Sequence, residues 1–279
     1  MNQFLLQHAS IIRLSFFFGI LTVMAGWEMF APRRPWSTPK SMRWLANLGM
    51  VLLATFSVRL LFPLAATGAA LFAAERGWGL LNNAWLPGWF SVGIGIVGLD
   101  FAIYLQHAMF HAIPTLWRLH MVHHTDLDFD VTTAVRFHPF EILLSMGIKM
   151  ALVFLLGISA LAVLLFEILL NGTAMFNHGN VRLPLGIDRV LRLFVVTPEM
   201  HRVHHSIVRR ETNSNFGFNL PWWDRIMGTY RAQPAAGHEG MTIGLENFRA
   251  AGDLTLPRLL ILPFLYQPSR YPMGHGNSE

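Results

Sequence analysis

Residues 91–111 read SVGIGIVGLDFAIYLQHAMFH, an apolar stretch that runs without a break into two histidines. An apolar helix of about 20 residues crosses the hydrocarbon core of a bilayer. His107 and His111 are four residues apart, so both side chains lie on the same face of such a helix. The stretch therefore predicts a membrane span that ends in a pair of imidazoles.

Apolar runs also lie before and after this stretch. Residues 11–30 and 44–62 are each long enough for one crossing, and 64–85 predicts a short helix along the opposite interface. Residues 140–176 are too long for one ordinary crossing, and Gly157 near their middle predicts a hairpin of two spans. The fold expected is an all-α polytopic membrane bundle of four to five spans with a cytoplasmic, histidine-rich helical cap.

The composition agrees with a membrane protein. Of the 279 residues, 53% are hydrophobic and 13% are charged, whereas soluble domains carry about 25% charged residues. No linker or charge run divides the chain, so we expect a single membrane domain over residues 1–279. The chain has no cysteine, which excludes disulfides, thiolate metal sites and iron–sulfur clusters. Histidine and carboxylate must hold any metal.

The charge pattern predicts the orientation. The formal net charge is +5, and the basic residues flank apolar runs, which favours anionic lipid headgroups over nucleic acid. Basic residues also follow the first run, so we expect a retained span and not a cleaved signal peptide. Arg33, Arg34, Lys40 and Arg43 between the first two spans place that loop in the cytoplasm. Counting crossings from there puts every histidine cluster on the cytoplasmic face of the cytoplasmic membrane.

Two further histidine clusters follow the first pair, each of the form HxxHH. Positions i, i+3 and i+4 share a helix face, so each cluster can aim two or three imidazoles at one point. Imidazole binds Fe, Zn, Cu and Ni, and a zinc site has four ligands as a rule. Eight histidines therefore predict two metals. The expected ligands are His107, His111, His120, His123, His124, His201, His204 and His205, with His178 added where the last span returns to this face.

Other polar residues stand near the clusters. Ligating histidines commonly donate their second N–H to a carboxylate or carbonyl, and the candidate partners are Asp100, Asp126, Asp128 and Asp130. His138 precedes a proline that starts the next helix, so a ligand, a supporting or a structural role is open. Lys149 falls inside a span, where we expect it to face protein. His8, His238 and His275 lie outside the clusters.

Five segments resemble the fatty acid hydroxylase/sterol desaturase superfamily: LDFAIYLQHAMFH, LWRLHMVHHTDLDFDVTTAVRFHPFE, FNHGN, TPEMHRVHHS and NSNFGFNLPWWDRIMGTY, from about 100 to 230. The resemblance makes this stretch the catalytic region. It implies two non-haem iron ions that use dioxygen to attack an unactivated C–H bond of a sterol, fatty acyl chain or polar lipid. It also implies the eight box histidines and His178 as ligands. No HPGG motif of a fused b-type cytochrome is present, so we expect a separate electron donor: a ferredoxin, b-type cytochrome or reductase.

Two alternatives belong to other classes. A membrane zinc hydrolase of the HExxH type needs a glutamate beside the first histidine, whereas the boxes read HAMFH, HMVHH and HRVHH. A non-enzymatic metal-binding membrane protein, such as a transporter, needs polar residues through the bilayer, whereas these histidines cluster at one edge. The sequence specifies neither the lipid nor the electron donor. It leaves open hydroxylation or desaturation, and the oligomeric state.

Overall fold

The computed structural model describes residues 2–266 and 272–273, and in this part of the chain the regular structure is helical, with isolated bridges in place of strands. The all-α prediction is confirmed. Short 3-10 helices cover Thr133–Val135 and Ala251–Leu254. The α-helices are α1 (Asn2–Gln7), α2 (Ala9–Phe30), α3 (Lys40–Leu61), α4 (Ala65–Glu75), α5 (Gly88–Ala112), α6 (Pro114–His124), α7 (Pro139–Leu156), α8 (Ala160–Asn177), α9 (Leu185–Leu191), α10 (Pro198–His204), α11 (Arg209–Thr212), α12 (Trp222–Ile226), α13 (Gly237–Gly240) and α14 (Leu256–Leu265).

Five helical segments of the described chain are long and apolar enough to cross a membrane. They are α2, the α3–α4 segment, α5, α7 and α8. The predicted hairpin is present, because α7 ends at Leu156, Gly157 follows with φ of +67°, and α8 begins at Ala160. A left-handed backbone conformation at the end of a helix favours glycine, because glycine has no Cβ that would clash with the backbone. The break between α3 and α4 falls at Pro63, where the sequence predicts the end of the second span.

The bundle packs through small and apolar side chains. Helix α8 contacts α2, α4 and α5, while α7 contacts α3 and α4. Helix α4 turns an alanine face into the bundle, with Ala66, Ala69, Ala70 and Ala73 all buried. Small residues let helix backbones approach closely, and that close packing is what holds helices together in lipid.

A buried ion-pair network attaches the cap, which consists of residues 113–138 and 180–235, to the start of α3. Arg43 is fully buried and donates to both carboxylate oxygens of Asp126 at 2.6 and 2.8 Å and to Asp130 at 2.7 Å. Burial alone would raise the pKa of Asp126, but the charges of Arg43 and Arg136 lower it to about 2. Removing one partner of a buried ion pair costs about 3–5 kcal/mol, so this network fixes the cap firmly on the bundle.

A second attachment joins the cap to α5 inside the span. Asp100 is buried and accepts hydrogen bonds from Trp223 Nε1 at 2.7 Å and Asn219 Nδ2 at 2.8 Å. The segment after the third histidine cluster is thereby held against the helix that carries the first. Cap and bundle together enclose the ends of α5, α6, α8 and α10.

Candidate metal centre

The structure gathers nine buried histidines into two adjacent groups. The five-histidine group is His107, His111, His120, His124 and His204, and the four-histidine group is His123, His178, His201 and His205. Within each group the candidate ligand nitrogens all lie within 4.8 Å of one another. The eight box histidines and His178 are thus brought together at one end of the bundle.

Each HxxHH cluster is divided between the two groups. In α6, His120 and His124 belong to the five-histidine group and His123 to the other; around α10, His201 and His205 belong to the four-histidine group and His204 to the other. Side chains four residues apart share a helix face, whereas neighbours diverge by about 100° around the axis. Each cluster therefore contributes to both groups, and only the i, i+4 pair aims at one point.

The ring nitrogens of the five-histidine group face one another at hydrogen-bond distance. His107 Nδ1 donates to the carbonyl of Phe216 at 2.8 Å, so Nε2 of the neutral ring carries a lone pair. That Nε2 lies 3.0 Å from His120 Nε2, and His120 Nδ1 lies 2.7 Å from a carboxylate oxygen of Glu141. Two nitrogens bound to one ion at about 2.1 Å and at right angles are about 3.0 Å apart. The spacing fits a cation shared by both rings.

The four-histidine group repeats this arrangement. His178 Nδ1 donates to the carbonyl of Ala174 at 2.8 Å, which leaves the lone pair on Nε2. His178 Nε2 lies 3.1 Å from His123 Nε2 and 3.1 Å from His201 Nε2. A cation bound among the three nitrogens would hold them at this separation.

Several buried ring nitrogens have no hydrogen-bond partner within the described chain: Nε2 of His111, His124 and His204, and both nitrogens of His205. Buried polar atoms are almost always paired, and a metal ion would satisfy these. Burial also lowers the pKa of His120 and of His178 to about 3. The rings are therefore neutral, which is the form that binds metals. The donor set fits two metal ions.

Partners outside the groups fix the rings of the five-histidine group. Besides Glu141 on His120, Asn213 Oδ1 lies 3.0 Å from His111 Nδ1, and the carbonyl of Ser214 accepts from His204 Nδ1 at 2.7 Å. Neither Glu141 nor Asn213 is predicted from the sequence as a partner of the histidines, although both lie in the segments that carry the family resemblance. Only their position inside these segments could have indicated a role at the site. Glu141 otherwise begins an apolar run, and Asn213 lies in a polar loop.

The four aspartates that the sequence predicts as hydrogen-bond partners of the histidines bind other groups in the described structure. Asp126 and Asp130 hold Arg43, Asp128 accepts from the backbone N–H of Ser37 at 2.9 Å near the start of α3, and Asp100 holds residues 219–223.

His138 lies outside both histidine groups. Its Nδ1 accepts from the N–H of Phe140 at 3.2 Å, and its Nε2 donates to the carbonyl of Leu260 at 3.2 Å. It therefore caps α7 and joins that helix to α14.

Glu199, next to the third cluster, also points away from the rings. Its carboxylate lies 2.9 Å from Arg33, 3.1 Å from Arg202 and 2.9 Å from His238. Burial alone would raise the pKa of Glu199, but the hydrogen bond to His238 and the two guanidinium charges lower it to about 2. It is thus a permanent anion that holds the cap together. His8 is exposed, and His275 lies outside the described residues.

A cavity of about 400 Å³ borders the five-histidine group and extends into the bundle between α2, α3, α5, α7 and α8. His107, His120 and Glu141 line one end, whereas no member of the four-histidine group is among its lining residues. The walls next to the histidines are the rings of Phe110, Phe137 and Phe218, and such apolar walls accommodate a hydrocarbon chain.

Comparison with known sequences agrees with the site. The sequence profile of the fatty acid hydroxylase family matches residues 92–229, which carry all nine histidines. The chain belongs to the fatty acid hydroxylase superfamily. Together with the five apolar helices, this membership makes it an integral membrane protein.

Three relatives are similar over part of their length. The chain is 32% identical to ornithine lipid hydroxylase OlsE of Rhizobium tropici over 62% of this chain and 51% of that protein. It is 32% identical to human alkylglycerol monooxygenase, over 57% of this chain and 34% of the relative, and 28% identical to human cholesterol 25-hydroxylase, over 47% and 48%. The matches thus span about half or less of these relatives. No solved structure matches the chain.

Proposed function

We propose that this protein is a membrane oxygenase that hydroxylates or desaturates an unactivated C–H bond of a lipid, with dioxygen and external electrons. One observation carries the proposal: nine buried, neutral histidines form two groups that could each hold a metal ion, and one of the groups lines an end of a cavity whose neighbouring walls are phenylalanine rings. The names of the relatives support it, since all three refer to lipid hydroxylation or to an alkylglycerol monooxygenase.

The cofactor proposed is a pair of non-haem iron ions, one in each histidine group. Bound iron supplies the oxidising power that cleaves a C–H bond with dioxygen. The ligands proposed are the nine histidines of the two groups, all of which offer a neutral nitrogen in a buried site. An all-histidine donor set excludes the glutamate-rich arrangement of soluble four-helix diiron proteins.

The protein's own residues bind, orient and exclude water. Glu141 Oε1 lies 2.7 Å from His120 Nδ1, and the hydrogen bond between them holds the ring with Nε2 directed into the five-histidine group. Carboxylate partners of this kind fix ring orientation and raise ligand basicity. Phe110, Phe137 and Phe218 line the cavity next to the histidines and exclude water from the reacting carbon.

Both products begin with removal of a hydrogen from the bound chain. In hydroxylation, one oxygen atom of dioxygen enters the C–H bond and the other leaves as water. In desaturation, a second hydrogen leaves and both oxygen atoms become water. Electrons come in either case from a separate donor, such as a ferredoxin, a b-type cytochrome or a reductase. We place the histidine end on the cytoplasmic face, where the basic loop 32–43 orients the chain and such donors are found.

The test is metal analysis of detergent-purified protein together with a lipid oxidation assay. We expect close to two irons per chain and oxidation that depends on dioxygen and on added electrons. One zinc per chain, with lipid hydrolysis and no redox activity, would identify a zinc hydrolase. Metal binding without any lipid turnover would identify the non-enzymatic alternative. Lipid profiling of a deletion strain against its complemented version then identifies the substrate.

A further inference from the structure

The end of the cavity away from the histidines holds a cluster of charged side chains. Lys149 Nζ lies 3.0 Å from Glu167 Oε1, and Arg13 lies 2.9 Å from Glu167 Oε2. All three residues line the cavity, and so does Arg59. The side chains of Lys149 and Glu167 are only 11% and 9% exposed and that of Arg13 is 30% exposed, so these three ion-paired residues face the interior of the bundle, whereas Arg59 is exposed.

The cluster has more positive than negative charge. Arg13 and Lys149 share the single carboxylate of Glu167, and the exposed Arg59 adds a third cation to the lining of the cavity. Arg13 Nε is also buried without a hydrogen-bond partner in the described chain. Uncompensated cations within membrane spans are costly and mark sites that bind something. An oxyanion from the substrate would complete the charge balance.

The position of the cluster along the helices sets its distance from the histidines. Glu141, at the histidine end, and Lys149 are eight residues apart on α7, which corresponds to about 12 Å. Arg13 is near the beginning of α2 and Arg59 near the end of α3, and both are the helix ends opposite the histidines. Glu28, at the other end of α2, accepts from the backbone of the cap. The charged cluster thus lies towards the far membrane interface.

We propose that the cavity binds an acidic lipid, with a carboxylate or phosphate against Arg13 and Lys149 and a hydrocarbon chain that extends to the five-histidine group. The carbon that reacts is then a chain carbon roughly 12 Å from the acidic group, and not a carbon beside it. The anion site stands on the cavity and its charges alone, whereas the position of oxidation rests on the proposed function.

The binding test compares three probes of equal chain length: hexadecanoate, hexadecyl phosphate and hexadecan-1-ol. Binding to the full-length protein in detergent is measured without dioxygen or an electron donor, so that turnover plays no part. A hydrogen bond from a charged group contributes about 1.5–3 kcal/mol, so we expect at least one acidic probe to bind about tenfold or more tightly than the alcohol. The preferred acid identifies carboxylate or phosphate. Equal binding of all three probes overturns the proposal without any variant.

Two substitutions in the same cluster are expected to act in opposite directions. Lys149→Met removes a cation and weakens binding of the acidic probe by about tenfold, while Glu167→Gln removes the competing carboxylate and strengthens it. Neither substitution is expected to change the affinity for hexadecan-1-ol. Arg76→Met is the matched control, because Arg76 is an exposed cation outside the cavity and leaves all three affinities unchanged. If both cluster variants weaken every probe alike, the cluster only ties the helices together and the proposal fails.

The position of oxidation is read from the product by mass spectrometry. We expect the new hydroxyl or double bond far along the chain of the preferred acidic probe. Oxidation at the carbons next to the acidic group overturns the proposed orientation. If the acidic probe binds selectively but is never oxidised by the iron-loaded protein supplied with dioxygen and electrons, the proposed function fails and the anion site stands.

Discussion

The two histidine groups have the same ligand chemistry but hold their rings by different means. In the five-histidine group, His107, His111, His120 and His204 each have Nδ1 within hydrogen-bond distance of an oxygen atom outside the group. In the four-histidine group only the Nδ1 of His178 has such a partner, whereas the Nδ1 atoms of His123, His201 and His205 have none in the described chain.

Aromatic packing takes the place of hydrogen bonds in the four-histidine group. The ring of His123 stacks on Phe137 with centroids 4.4 Å apart and planes at 10°, and His178 stacks on Phe129 at 5.4 Å and 27°. Hydrogen bonds fix direction more narrowly than stacking does. The better-fixed group is also the one that borders the cavity, which is where positional precision affects chemistry most. We infer that the five-histidine group faces the substrate and the four-histidine group supports it.

Removing one ligand from each group gives the largest expected effect. His120→Ala and His123→Ala should each reduce lipid oxidation beyond the 10- to 100-fold typical of losing an outer partner of a metal ligand. We expect metal content to fall towards one ion per chain in both variants, measured by elemental analysis. His8→Ala removes an exposed histidine far from both groups and serves as the control. Full activity in either cluster variant contradicts the ligand assignment.

Much of this site could be predicted from the sequence, because eight of the nine histidines stand in spaced clusters and the spans bring those clusters and the lone His178 to one end of the bundle. The division of each cluster between two groups depends on the rotation of α6 and α10 about their axes, which periodicity within the cluster does not determine. The aspartates of DLDFD were expected to support histidines, yet Asp126 and Asp130 surround Arg43. A buried arginine from a distant helix competes for such carboxylates, and local sequence carries no sign of it.

Acid should destabilise the metal-stripped protein, because the imidazoles of both histidine groups are buried and their pKa values are lowered. The folded-state pKa of His120 and of His178 is about 3, below the value of about 6.5 expected in the unfolded chain. As pH falls below about 6.5 the unfolded chain binds protons that the folded chain does not, so stability falls by up to about 1.4 kcal/mol per imidazole per pH unit.

The measurement is the thermal unfolding midpoint from pH 8 to pH 5 in detergent. In this range the carboxylates that have a low pKa, such as Asp126 and Glu199 at about 2, remain ionised and contribute little. Because nine imidazoles share this burial, we expect a steep fall of the midpoint below about pH 6.5. A midpoint independent of pH over this range contradicts the presence of buried neutral imidazoles.

Replacing Glu141 tests whether hydrogen bonds matter more in the five-histidine group. Glu141→Leu removes the acceptor of His120 Nδ1, and we expect a 10- to 100-fold loss of metal affinity or of activity, as is typical for such outer partners. Glu141→Gln keeps a side chain of the same shape that can still form a hydrogen bond with His120 Nδ1, so its loss should be smaller. Competition with a chelator measures the affinity. Equal, unchanged affinity in both variants refutes a positioning role for Glu141.

Removing a stacked ring in the four-histidine group should have the smallest effect. Substitutions of two phenylalanines distinguish an effect on metal binding from an effect on lipid binding. An aromatic pair contributes about 0.5–1.5 kcal/mol beyond its buried area, so Phe137→Leu and Phe129→Leu should each weaken metal binding by about two- to tenfold. Phe137 also lines the cavity, whereas Phe129 does not. We therefore expect Phe137→Leu to alter the KM for lipid as well, while Phe129→Leu leaves that KM unchanged. An effect of Phe129→Leu on lipid KM as large as that of Phe137→Leu would show that both histidine groups contact the substrate, and the difference between them would then lie in ring fixation alone.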